Sequence, residues 1–321
     1  MRVITFNKLD MKKLPLLILA LFISSTMWSQ QDAQYTQYMY NMSVINPAYT
    51  TNNLGTVILG ALHRTQWVGV VGSPKSSNIF IHAPIDDKIE VGFSLINDNI
   101  GDVVKENNLY ADFAYKLNLE ENGVLSFGLK TGITFFNVNF NGFKLESGDI
   151  FSDPDFAENI NQSYFNIGTG IYYNTDNYYI GLSIPTILKA KHLDRNNGRY
   201  QGTERSHIFL TGGYVHEIND EFKIKPAFMT KMVKGSPVSV DITANVLYLN
   251  KIEFGLGYRI GDAFSAMTNF RATPELRVGY AYDHTLSNMG PFSSGSHELF
   301  VLYDFDILNI NKGFNKSPRF F

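Results

Sequence analysis

After Gly55 the chain alternates apolar and polar residues in runs of strand length, and the connections between runs are, with two exceptions, long and short by turns. Period two places one set of side chains on each face of a strand. In Ile252, Phe254, Leu256, Tyr258 and Ile260 against Glu253, Gly255, Gly257, Arg259 and Gly261, one face is apolar and the other too polar for a packed core. The pair Leu109 to Leu117 against Tyr110 to Lys116, and the run Leu299 to Ile307 against Glu298 to Asp306, repeat the theme. Strands with an apolar outside and a polar inside, joined by long loops at one end and tight turns at the other, are the pattern of a transmembrane β-barrel. The expected fold is all-β: an antiparallel transmembrane barrel of about 14 strands.

The connections orient this barrel. Pro84 to Lys88, Glu120 to Gly123, Asn174 to Asn177, Asn219-Asp220, Asn250-Lys251 and Thr273-Pro274 are short and built from turn-forming residues. Placing them in the periplasm turns the longer connections outward and sets both termini on the periplasmic side. Val233 to Ser236 and Gly261-Asp262 are short where the alternation wants length, and Pro226 inside a strand costs a ladder hydrogen bond.

The start of the chain fits export. Met11-Lys12-Lys13, the apolar run Leu14 to Ile23 and the small, polar stretch Ser24 to Ser29 have the order of a signal peptide. Residues 1–29 are assigned to it, 30–53 to a periplasmic N-terminal segment or plug, 54–308 to the outer-membrane barrel and 309–321 to a periplasmic tail. The formal charge of the chain is −3; loss of residues 1–29, with four basic residues and one acidic, leaves −6, which is no footprint for nucleic acid. Cysteine is absent, so neither disulfides nor thiolate metal sites enter the fold.

Chemistry is weakly signalled. His284 and His297 follow or precede carboxylates at Asp283 and Glu298, but neighbours on one strand point to opposite faces and cannot pair through the lumen by adjacency. No nucleophile motif surrounds any serine. The acidic loop Asp149, Asp153, Asp155, Glu158 lacks the spacing of an EF-hand. The expectation is a non-enzymatic protein with no catalytic, metal or cofactor residues.

Specific motifs run in order along the mature chain: Gln37-Tyr38-Met39-Tyr40-Asn41, Asn46-Pro47-Ala48-Tyr49, Arg64-Thr65-Gln66-Trp67-Val68-Gly69, Gly72-Ser73-Pro74, then His82 and Pro84, Asp98-Asn99-Ile100-Gly101, Gly181 to Pro185, Gly279 to Asp283, His297-Glu298-Leu299 and Ser317 to Phe321. The series resembles the PorP/SprF family of type IX secretion outer-membrane proteins, with Thr50 and Thr51 where the family usually continues Ala-Gly. The resemblance implies localisation in the outer membrane, partnership with the type IX machinery, and support of export or surface anchoring of an adhesin-like cargo, of the kind used in gliding, through the cargo's C-terminal signal domain.

Candidate partner contacts are Arg64, Gln66, Trp67, Pro74 and His82, with Asn46, Pro47, Ala48 and Tyr49 as the N-terminal motif. Trp and Arg are common anchors; Trp67 also fits a girdle aromatic at the membrane boundary, with Arg64 and Gln66 satisfying the lumen. The segment before the first strand caps or plugs the periplasmic mouth, meets other machinery there, or is an ordered lead-in to the strand. The other function class is a porin or transporter for small solutes, supported by a mixed-charge inner face; on the same face Gly128, Gly132, Gly168 and Gly170 leave room for either a plug or a ligand, or else relieve crowding and bend the strands.

Overall fold

A computed structural model describes residues 34–51, 55–101, 103–119, 123–140, 144–145, 148–149, 159–188 and 206–306. The signal segment, the tail from 307 and most of the acidic loop lie outside them.

Fourteen antiparallel strands close into a barrel. They are β1 (Thr56–Thr65), β2 (Lys75–Pro84), β3 (Ile89–Ile100), β4 (Val104–Asn118), β5 (Val124–Val138), β6 (Ile160–Asn174), β7 (Tyr178–Ile184), β8 (His207–Tyr214 continued by His216–Glu217), β9 (Phe222–Val233), β10 (Ser239–Tyr248), β11 (Ile252–Arg259), β12 (Ala263–Arg271), β13 (Leu276–Thr285) and β14 (Ser296–Asp306). Each pairs with its neighbours in sequence, and β1 pairs with β14 from Thr56 opposite Asp306 to Thr65 opposite His297. Closure matters because lipid offers no partner to an open strand edge, so every ladder group must be satisfied within the sheet.

The sidedness is inverted relative to a water-soluble core. On β11 the outward Phe254, Leu256 and Tyr258 alternate with enclosed Glu253, Gly255 and Arg259; Leu256 is 63% exposed and Glu253 0%. The same alternation runs through β4, β5, β12 and β13. Apolar residues therefore face lipid, and the interior holds charged and polar side chains.

The two short connections on the long side are ordinary hairpin turns, with Gly235 at φ +88 and Gly261 at φ +76, which is why the strand count stays at fourteen. Pro226 lies opposite Tyr214, where β8 is interrupted before Val215. The pairing on either side, Gly213 with Ala227 and His216 with Ile224, keeps one register, so the break is a lost ladder bond without an inserted residue. The β10–β11 turn is shifted by one residue from the expected Asn250-Lys251: Leu249 (φ 50) and Asn250 (φ 56) are its two central residues, and the Lys251 N–H donates to the Tyr248 carbonyl at 3.0 Å.

Residues 34–51 run through the barrel interior. They form a 3-10 turn at Tyr38–Tyr40 and one α-helical turn at Met42–Ile45, and Tyr38, Met42, Ile45 and Ala48 build an apolar cluster with Leu62, Tyr172, Tyr179, Met229 and Phe300 of the wall.

Candidate functional site

The interior segment is held by charged groups that the alternation turns inward. Arg64, Asp283 and Glu298 lie within two residues of the ends of β1, β13 and β14 that lead to long connections. Arg64 Nη2 is 2.7 Å from Asp283 Oδ2, and its Nη1 is 3.3 Å from Glu298 Oε2 and donates to Thr36 Oγ1 at 2.8 Å. Thr36 Oγ1 in turn donates to Asp283 at 2.7 Å. The Glu298 carboxylate accepts the backbone N–H of Thr36 at 2.9 Å and of Gln37 at 2.7 Å. Charge taken out of water persists only when paired and hydrogen-bonded, and here the segment's own backbone completes the pairing.

A second cluster lies near the opposite end. Glu90, next to the start of β3, is 2.7 Å from His82 Nε2 and 2.8 Å from Lys116 Nζ, and accepts the Thr51 N–H at 2.8 Å. The segment thus enters at the long-connection end with Thr36 and reaches the short-turn end with Thr51. Rather than standing at one mouth, it passes through the interior.

Between these ends Tyr40 is gripped from three sides. Its hydroxyl donates to Glu253, which also accepts Asn269 Nδ2 at 2.8 Å. Lys225 Nζ stands 5.4 Å from the ring centroid, the Arg277 guanidinium 5.3 Å, and Phe300 stacks at 4.6 Å. An aromatic ring offers its negative face to such cations. Further along, Lys130 Nζ meets Asp112 at 2.7 Å and Ser183 Oγ donates to the Ile45 carbonyl at 2.8 Å.

The Asn46-Pro47-Ala48 turn needs a flat wall. Asn46 Oδ1 accepts the Ala48 N–H at 2.9 Å, the self-bonding that Asn favours in turns, and its Nδ2 donates to the Ile171 carbonyl at 3.1 Å. A Cβ at Gly128 would stand 2.1 Å from the Ala48 nitrogen, and one at Gly170 2.1 Å from Asn46 Oδ1. Room at these two glycines is filled by the segment. Gly168 instead receives the Pro185 backbone and Gly132 the Tyr110 ring, so those two positions serve the wall itself.

The sequence candidates divide accordingly. Arg64 and His82 are enclosed in the lumen, and neither reaches the surface, because strand parity turns both inward. Asn46, Pro47 and Ala48 are buried in the segment, and Tyr49 packs its ring 5.6 Å from Tyr172 and 5.8 Å from His82. Gln66, Trp67 and Pro74 remain half-exposed in the first long connection. There the Gln66 N–H donates to the Pro74 carbonyl at 2.9 Å, and the Trp67 N–H to Ser296 Oγ at 3.1 Å. Trp67 has φ 50, an unusual backbone for a bulky residue, held by paired bonds between Val68 and residues 294–295.

Two residues at this mouth escaped the sequence reading. Val71 is 99% exposed and Phe292 72%. The signal was present in Val70-Val71 between glycines, an apolar pair in a loop where polar residues are usual. The carboxylate–histidine neighbours separate as strand geometry requires: Asp283 and Glu298 face the lumen, and His297 bonds the Tyr280 hydroxyl at 2.6 Å on the outer wall.

No curated protein matches the chain. Among solved structures it is similar to a Pseudomonas aeruginosa FadL homologue (12% identity, TM-score 0.48, 83% of this chain and 94% of that one). It is also similar to the Pseudomonas putida toluene transporter TodX (12%, 0.47, 88% and 97%) and to the monoaromatic hydrocarbon channel CymD (12%, 0.46, 84% and 92%). Residues 28–303 match the type IX secretion system membrane protein PorP/SprF, and the chain belongs to that family.

Proposed function

We propose that this barrel is a non-enzymatic anchor of type IX secretion that holds the C-terminal signal domain of an adhesin-like cargo at its long-connection mouth, facing outward, while its lumen stays closed. The observation that carries the reading is the course of residues 34–51, whose backbone and side chains are bound at both ends of the interior by Glu298 and Glu90. A lumen filled by the chain's own segment, tied through buried ion pairs, is a poor path for solutes and leaves the mouth as the surface on which a partner can dock.

Gln66, Trp67 and Pro74 then act together with the exposed Val71 and Phe292 as the docking surface. Apolar side chains presented to water at a loop tip favour a partner that covers them. Backbone strain at Trp67 accords with a functional constraint on that loop. Arg64 serves the segment inside and shapes the mouth from beneath, whereas His82 and the Asn46 to Tyr49 motif hold the segment deeper in the lumen and towards the short-turn end.

The test is co-purification of the tagged full chain from outer membranes in mild detergent, followed by mass spectrometry and by reconstitution into planar bilayers. Retention of a large secreted protein through its C-terminal domain, with no steady conductance, supports the anchor. Recovery of the barrel alone with open-channel conductance replaces it by a pore.

A further inference from the structure

The outer wall changes character abruptly on one side of the barrel. Following the register across β1 to β6, the outward residues Ala61, Ile79, Leu95, Leu109, Ile133 and Phe165 form an apolar row. The next outward row towards the long connections is His63, Ser77, Asn97, Asn107, Phe135 and Ser163, and the one beyond it is Thr65, Lys75, Asn99, Lys105, Asn137 and Asn161. No carboxylate stands in these two rows. Lys75 and Lys105 are exposed, flank Asn99 on the two neighbouring strands, and form no ion pair among the described residues. Strand spacing sets their backbones roughly 10 Å apart.

The boundary between the rows is indented. A groove of about 350 Å³ there is lined by Ile79, Leu95 and Leu109 of the apolar row and by Ser77, Asn97, Asn107 and Phe135 of the next. Its polar edge, Asn97 and Asn107, is pre-arranged: Asn97 Nδ2 donates to Asn107 Oδ1 at 2.7 Å, and Asn99, just beyond the groove towards the long connections, donates through Nδ2 to Asn97 Oδ1 at 2.9 Å. The opposite wall differs, since the outward Val238, Ile242, Tyr258, Ile260 and Phe264 carry the apolar surface up to the tight turns at 233–239 and 259–263.

Given the outward placement of the long connections proposed above, on which the assignment rests, we infer that this groove is a binding site for an anionic glycolipid of the outer leaflet. Its acyl chains lie on Ile79, Leu95, Leu109 and Phe135, its sugar hydroxyls meet the Asn97–Asn99–Asn107 amides, and its phosphate is held between Lys75 and Lys105. Cations at the polar edge of an apolar wall are placed as membrane headgroup sites require. The amide chain has both donors and acceptors, which suits hydroxyl-rich headgroups better than simple phospholipids. The asymmetry of the wall gives the barrel a preferred lipid-bound side, independent of what occupies its mouth.

The experiment uses the detergent-purified full chain, titrated with a phosphorylated lipid A and with its dephosphorylated form. At about 1 kcal/mol per lysine, the intact chain should bind the phosphorylated lipid about 30-fold more tightly. The double variant Lys75→Ala/Lys105→Ala should lose that preference while retaining the heat-shifted mobility of a folded barrel, Lys75→Arg/Lys105→Arg should keep it, and Lys88→Ala, on a short turn, should leave it unchanged. Equal binding of the two lipids by the intact chain, or an undiminished preference in the folded alanine pair, overturns the assignment.

Discussion

Glu298, on the last strand, accepts the Gln37 backbone N–H at 2.7 Å across 261 residues of sequence, and so ties the end of the barrel to the chain that precedes its first strand. The same carboxylate takes the Thr36 N–H and half of the Arg64 guanidinium. Removing it leaves an enclosed cation short of a partner and two backbone donors unpaired.

Glu298→Ala is therefore expected to cost about 3–5 kcal/mol, the range for breaking a buried ion pair. The loss should fall on the segment before the barrel: protease cleavage within residues 34–51 should rise while the strands remain closed. Limited proteolysis with mass mapping, alongside heat-modified gel mobility, checks both parts.

Gly128 and Gly261 should respond differently to the same change. At Gly128 an added Cβ meets the Ala48 nitrogen at 2.1 Å, so Gly128→Ala should unseat the Asn46-Pro47-Ala48 turn and admit ion conductance. At Gly261 nothing lies within 4 Å, but φ is +76, so Gly261→Ala should cost only about 1 kcal/mol of strain and leave the bilayer silent. Single-channel recording of the two variants separates steric eviction from turn strain.

The turn at Leu249 offers a gain. Leu249 holds φ 50 at the first of two left-handed positions in the turn between Tyr248 and Ile252, a backbone for which Asn, Asp and Gly are preferred. Leu249→Asn should stabilise the barrel by about 0.5–1 kcal/mol, since Asn tolerates this backbone at lower cost. Urea unfolding in detergent should show a higher midpoint at unchanged slope.

Trp67→Ala should abolish cargo display at the surface while barrel abundance stays at the level of the unaltered protein. Immunodetection of the cargo on intact cells, against a quantitative blot of the barrel, reads both. Parallel loss of the two would assign Trp67 to folding.

Much of the wall was legible because its physics is local. The alternation in β11 reports lipid on one face and lumen on the other within eight residues, and Pro226 announces its missing donor directly. The interior was less legible because its contacts are remote. Nothing near Thr36 announces Glu298, and nothing near Pro47 announces Gly128; both pairings arise only once the sheet closes. Arg64 reads as a loop anchor from its neighbours Gln66 and Trp67, yet one step of strand parity places it inside while they stay at the mouth.

The most direct test of the anchor is photo-crosslinking on intact cells. A photoreactive residue replaces Val71 or Phe292 at the mouth, or Asp220 at a short turn. Crosslinks are expected from positions 71 and 292 to the C-terminal domain of a secreted protein, and none from 220. Crosslinks to that domain from 220 alone, or from none of the three in cells that display the cargo, overturn the anchor.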